Sequence, residues 1–207
     1  MELERAMLLA MIHRSAERIA TESEALCALD WAIGDGDHGA NMKRGWDAVR
    51  AKAAEIAELP TGEALVAIGR TLVMTVGGAA GPLYGSFFLA AGAALERGRR
   101  LPEDLADVVA AGVDAVGARG RSKAGEKTML DVLVPVLAVL RAEAGRPGLI
   151  GVARDVARQS VERTAPMLAA KGRAAYLGPR SVGHVDPGAQ SSCLIVEAIC
   201  DSLEIRP

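Results

Sequence analysis

The chain has 207 residues, half of them apolar, with 24 Lys and Arg against 26 Asp and Glu, a balance that suits one or at most two globular domains and excludes a disordered or fibrous chain. A formal net charge of −2 leaves no overall basic field to draw the surface to nucleic acid or an anionic membrane, so any anion site must be local. Aromatics at 3% are too few for platforms that stack single-stranded bases.

The first segment, MELERAMLLAMIHRSAERIA, carries Leu8, Ile12, Ala16 and Ile19 on one helical face. Glu4, Arg5, His13 and Arg14 interrupt its apolar run. It therefore reads neither as a secretory core nor as a spanning stretch of roughly 20 residues, and a cytoplasmic protein is expected. Thr21-Glu22-Ser23-Glu24 has capping-box spacing and announces a second helix through Leu26, Leu29 and Ile33 to Gly34. Further helices are expected at about residues 39–58, 62–76, 82–97, 102–118, 127–144, 149–171 and 188–205. Pro135 and Pro166 fall inside two of these and should kink them. No stretch sustains period-two alternation, connections are short, and no Ser- or Pro-rich linker or internal repeat stands out. The expected fold is all-α, a single domain over residues 1–207 built as a bundle of roughly eight antiparallel helices. Cys27, Cys193 and Cys200 are odd in number and lack C-x-x-C spacing, as expected of reduced thiols. Cys193 and Cys200, seven apart in an apolar segment, suit core packing.

After the second helix comes Asp30-Trp31-Ala32-Ile33-Gly34-Asp35-Gly36-Asp37-His38-Gly39-Ala40-Asn41. Asp30 falls in the last helical turn, and a glycine-rich turn can bend Asp35 and Asp37 toward it. Three close carboxylates repel one another unless a cation sits between them, and hard oxygen ligands suit magnesium or calcium. No glutamate follows at the EF-hand place. Taken alone, Asp35 and Asp37 could equally be turn and N-cap residues. A helix beginning near Gly39 would offer free N–H groups to a phosphate, with His38 and Asn41 as further donors, or His38 could be an ordinary loop histidine.

Val76-Gly77-Gly78-Ala79-Ala80-Gly81-Pro82 is a second glycine-rich turn, fit either to lay backbone N–H groups against a phosphate or to make a tight helix corner. Gly120-Arg121-Ser122-Lys123-Ala124-Gly125-Glu126-Lys127-Thr128 resembles a phosphate loop, but Glu126 separates glycine from lysine and the segment follows a helix rather than a strand, which rejects that reading. It remains a basic loop, either solvated or closing over a ligand. The stretch from Lys171 to Gly178, followed by Gly183 to Ala189, is too polar and glycine-rich for a helix and too long for a minimal turn, as in a functional loop or lid. Arg173 is its candidate for reaching phosphate oxygens, against the alternative of an ordinary surface arginine.

With GDGDHGANM, GGAAGPLYGS, KTMLDVLVP, KGRAAYLG and GHVDPGAQS in this order, the chain resembles the L, nucleotide-binding subunits of bacterial dihydroxyacetone kinases over essentially its whole length. The resemblance implies an antiparallel barrel of eight helices with ADP or ATP bound at one end among the loops. It implies that Asp30, Asp35 and Asp37 coordinate two magnesium ions, and that His38, Gly39, Ala40, Asn41, Gly78, Ala79 and Ala80 approach the phosphates. Gly120, Met129, Arg173, Asp186, Pro187 and Gly188 would complete the pocket and its lid, with Arg173 catalytic. Ala80 stands where the family often has serine, so a hydroxyl contact is lost there while backbone donors remain.

The family's implied reaction is phosphoryl transfer to dihydroxyacetone held on a separate K subunit. The phosphoryl group would come from the phosphoenolpyruvate-dependent phosphotransferase system through an M subunit, and the chain would be active only with these partners. The alternatives are an ATP-exchanging kinase subunit for another small ketose or polyol, and a nucleotide-sensing partner of a transcription regulator. A homodimer is compatible with the resemblance; nucleic acid and membrane are not expected partners.

Overall fold

The structure is a computed structural model and describes residues 2–204. Among the described residues there are ten α-helices and no strand. They are α1 (Glu2–Thr21), α2 (Ser23–Ile33), α3 (His38–Ala51), α4 (Ala53–Ala57), α5 (Thr61–Thr75), α6 (Ala80–Glu96), α7 (Leu105–Gly120), α8 (Leu130–Ala142), α9 (Leu149–Glu162) and α10 (Pro187–Leu203), with 3-10 turns over Arg173–Ser181 before α10.

The periodic face read from α1 is the buried one, since Leu8, Ile12, Ala16 and Ile19 all lie in the core. The capping box at residues 21–24 does not form. Thr21 ends α1, and the backbone ladder passes through the joint by Glu22 N to Arg18 O at 3.0 Å and Leu26 N to Glu22 O at 2.8 Å. With the ladder nearly continuous, few free donors are left for a cap to satisfy. The helix expected over 39–58 divides at Lys52 into α3 and α4, and Ala53, Ile56 and Ala57 of α4 turn inward against α1 and α5. The helix expected to reach 171 ends at Glu162. Pro166 thus lies beyond its end rather than in a kink, because the residue before a proline is held away from helical geometry. Pro135 does lie inside α8. The segment read as a loop after Lys171 instead makes 3-10 turns, broken at Gly178. The last helix was expected to run to 205, a position outside the described residues.

The count therefore exceeds the expected eight, but the helices still close into a ring. α1 packs on α3, α3 on α5, α5 on α6, α6 on α7, α7 on α8, α8 on α9, and α9 on α10, which returns to α1. Trp46 of α3 is fully buried at its centre and meets Phe88 of α6 edge-on at 5.9 Å. The closest pairing is α5 with α6: a Cβ on Gly92 would lie 2.5 Å from the carbonyl oxygen of Gly62, and one on Gly69 2.8 Å from that of Gly85. A second cluster joins Val132 and Val136 of α8, Ala157 and Val161 of α9, and Ala189 and Cys193 of α10. Charge fastens the outside, where Glu197 of α10 pairs with Arg18 of α1 and Arg158 of α9. Cys193 and Cys200 are buried and unbridged, as expected. No helix among the described residues is long and apolar enough to cross a membrane.

Candidate functional site

Short connections make successive helices alternate in direction, so every second connection falls at the same end. Those after α2, α5 and α7, and the long one between α9 and α10, together enclose a cavity of about 560 Å3, within the range of small-molecule sites. Its wall includes Asp30, Asp35, Asp37, His38, Asn41, Gly78, Ala79, Ala80, Gly120, Met129, Arg173, Asp186, Pro187 and Gly188.

Asp30 closes α2 and is only 9% exposed. Its Oδ2 accepts the backbone N–H of Asp37 at 2.9 Å and of His38 at 3.1 Å, which folds the acidic loop back over the helix end. Gly34 permits that fold, since a Cβ there would lie 2.2 Å from Asp30 Oδ1. Asp35 and Asp37 are exposed, and the three carboxylates each offer an oxygen with all three within 4.8 Å of one another. Such a set is repulsive by itself and relieved by a divalent cation. Exclusively oxygen donors, with the cavity side open to water and phosphate, fit magnesium. Arg173 Nη2 sits 2.9 Å from Asp35 Oδ2, at the mouth of this set.

The start of α3 is a poorer anion seat than its position suggested. Two of its leading amides are spent on Asp30, and the N–H of Ala40 points to Cys27 Sγ at 3.3 Å. Gly39 packs so close to α2 that a Cβ would meet the Ser23 carbonyl oxygen at 1.9 Å. Neither Gly39 nor Ala40 reaches the cavity wall, whereas His38 and Asn41 do. The His38 ring is engaged through Nε2 with Ser191 Oγ at 2.8 Å. Burial lowers its pKa, against the pull of Asp30 and Asp37, which favours the neutral ring.

The start of α6 is the better seat. Gly77, Gly78, Ala79 and Ala80 line the cavity, Gly78 has φ +64°, and no side chain caps the helix. Uncapped leading amides and the positive end of the helix dipole favour an anion. One turn in, the buried Tyr84 hydroxyl bonds Ser191 Oγ at 2.7 Å, Ser192 Oγ at 2.8 Å and the Gly188 carbonyl at 3.1 Å. Burial raises the Tyr84 pKa, so the phenol stays neutral. Tyr84, which lines the cavity, was missed as a site residue, and so was Ser191 as the residue that holds Tyr84 and His38, although both stand within the quoted motifs.

Opposite, Gly120 and Met129 flank the loop between α7 and α8. That loop is not simply solvated: Lys127 is 1% exposed. Asp131 in the first turn of α8 accepts the backbone N–H groups of Gly125 and Thr128 and shapes the loop. Asp186 caps α10 by accepting the N–H of Ala189 at 2.7 Å. Burial pushes its pKa up to about 7, helped by Asp131 and opposed by the Ala189 bond and Lys127.

The chain is similar to known proteins along most of its length. The DAK2 domain model matches residues 32–201. The chain is 41% identical over 204 residues to the ADP-binding subunit DhaL of the PEP-dependent dihydroxyacetone kinase of Escherichia coli, covering 96% of this chain and 97% of that one. It is 33% identical over 195 residues to the L-erythrulose 1-kinase of Mycolicibacterium smegmatis, covering 90% of this chain but 34% of that protein. The crystal structure of the dihydroxyacetone kinase from C. freundii in complex with AMP-PNP and Mg2+ superposes with a TM-score of 0.77 at 26% identity, over 95% of this chain and 34% of that chain. The chain thus spans about a third of those larger kinases and nearly all of the bacterial subunit. By its sequence match and its helical barrel alike, the chain belongs to the DAK2 domain family.

Proposed function

We propose that this chain is the nucleotide-binding subunit of a dihydroxyacetone kinase, holding ADP or ATP with two magnesium ions and relaying a phosphoryl group to dihydroxyacetone on a separate K subunit. The donor in this reading is an M subunit of the phosphoenolpyruvate-dependent phosphotransferase system, and the location is cytoplasmic. The observation that carries the reading is the meeting of three carboxylates, Arg173 and the uncapped start of α6 on one cavity wall. Near full-length similarity to a protein described as the ADP-binding subunit of such a kinase supports it.

Asp30, Asp35 and Asp37 would hold the metal, with Asp30 oriented by the amides of Asp37 and His38. When bound, the magnesium nucleotide supplies the phosphoryl group and the positive charge that neutralises its oxygens. The amides of Gly78 to Ala80 would seat the phosphates, and Arg173 would stabilise charge on the transferred group. Gly120, Met129 and Asp186 to Gly188 wall off water. No side chain here needs to act as a nucleophile, since phosphoryl transfer depends on position and charge.

The larger erythrulose kinase favours one second reading, an ATP-exchanging kinase for another small ketose. The test is to purify the protein without added nucleotide, denature it, identify what is released and count magnesium. Stoichiometric ADP with two magnesium ions supports the relay. An empty protein that binds magnesium-ATP reversibly supports the exchanging kinase, and one that binds neither overturns the site.

A further inference from the structure

Lys127 is a fully buried lysine on a loop that basic character alone would place in solvent. Its backbone adopts φ +61°, a left-handed conformation costly to a residue with a Cβ. Its ammonium donates to the carbonyls of Thr164 at 2.8 Å, Met167 at 3.2 Å, Ala165 at 3.3 Å and His184. Among the described residues no carboxylate is hydrogen-bonded to it; Asp186 acts as a nearby charge, and burial lowers its pKa. Burying an ammonium against neutral carbonyls is expensive, so the arrangement needs a return beyond packing.

The carbonyls identify that return. Residues 163–172 leave α9 and have no helix or sheet in which to satisfy their backbone groups. An ammonium is compact and carries three donors, so it can gather several carbonyls around one point. Glu126 extends the grip, with its carbonyl accepting the N–H of Ala170 at 3.2 Å and its carboxylate 3.8 Å from Lys171 Nζ. The chain reaches Arg173 two residues later. Farther on, Ser181 Oγ accepts the N–H of Ala169 at 3.0 Å and closes the loop that carries the arginine.

We propose that Lys127 is a positioning residue for Arg173: its ammonium gathers the backbone of residues 164–167 and 184 into the arrangement that brings Arg173 to Asp35 at the cavity mouth. Lys127 itself lines the cavity, but its ammonium is spent on carbonyls, so it acts on the phosphates through that arginine, unlike the lysine of a phosphate loop. The inference rests on Arg173 contacting the nucleotide.

The test is a double-mutant cycle read as the dissociation rate of MgADP in wild type, K127M, R173A and K127M/R173A, beside the thermal midpoint of each. Faster release by about tenfold for K127M in the wild-type background, at least about threefold less in the R173A background, supports the assignment. The thermal cost of K127M is expected to be the same in both backgrounds. An equal acceleration of release in both backgrounds overturns the positioning role while leaving Arg173 its contact. Unchanged release from R173A itself overturns the Arg173 reading and this inference with it. Should K127M fail to fold, K127Q, which keeps two donors near the same carbonyls, carries the same cycle with the same outcomes.

Discussion

Arg173 Nη2 lies 2.9 Å from Asp35 Oδ2, joining the segment before α10 to the loop after α2 across the cavity mouth. Both side chains are well exposed, at 70% and 37%, so the pair contributes little to stability. Its weight falls on the site, where under the proposed function a cation-binding carboxylate and a phosphate-binding arginine would converge.

Asp35→Ala or Asp37→Ala should abolish nucleotide retention with the fold intact. The metal-free thermal midpoint should stay within about 2 °C of wild type, because an exposed, mutually repelling carboxylate holds little of the fold. The rise in midpoint on adding MgADP should disappear. Differential scanning fluorimetry checks this, and a full ligand-induced shift in either variant would sink the metal assignment.

Asp186 makes metal-free stability depend on pH. Its pKa is raised by burial from 3.8 to about 7, so between those values the folded state binds a proton that the unfolded state releases. Its contribution is fully present below pH 3.8 and is lost as pH rises through about 7. Asp186→Asn keeps an acceptor at the cap and removes the charge. The variant should gain on wild type as pH rises from 5 to 8; urea midpoints that run parallel across that range count against the assignment.

Tyr84→Phe should destabilise by about 1–3 kcal/mol, because it takes from the buried Ser192 hydroxyl its Tyr84 partner, while Ser191 keeps His38 and the Gly188 carbonyl. Equilibrium urea unfolding checks this, and a neutral result would mean that Ser192 finds another partner.

Gly92→Ala sets helix propensity against packing. Alanine favours an isolated helix by about 1 kcal/mol over glycine. Here its Cβ would lie 2.5 Å from a backbone oxygen of α5, which can yield only by moving a helix, at about 1–3 kcal/mol. The net change should be destabilising, and a raised thermal midpoint would contradict the close packing of α5 on α6.

Much of the fold was legible because helices are local. The spacing of Leu8, Ile12, Ala16 and Ile19 marks the buried face of α1, since residues three and four apart share a helix side whatever the surroundings. Where neighbours decide, the reading failed. Nothing in the run through Lys52 announces the division of α3 from α4, and Pro166 was taken for a kink where it follows a helix end. The acidic set was legible because Asp30, Asp35 and Asp37 fall within eight consecutive residues.

Lys127 and His38 were not legible in the same way. A lysine in a glycine-rich loop reads as solvated, and the carbonyls that bury it lie as far as 57 residues away. The ring of His38 is engaged by Ser191, 153 residues away. Taken by itself, the order of residues determined what nearest neighbours can decide: which segments are helical, which faces are apolar and which loop carries the carboxylates. Only the closing of the barrel decided which loops share an end, which amides remain free for an anion, and which charged groups are buried. Those outcomes depend on hydrogen bonds and desolvation between groups far apart in the chain, and no local pattern encodes them.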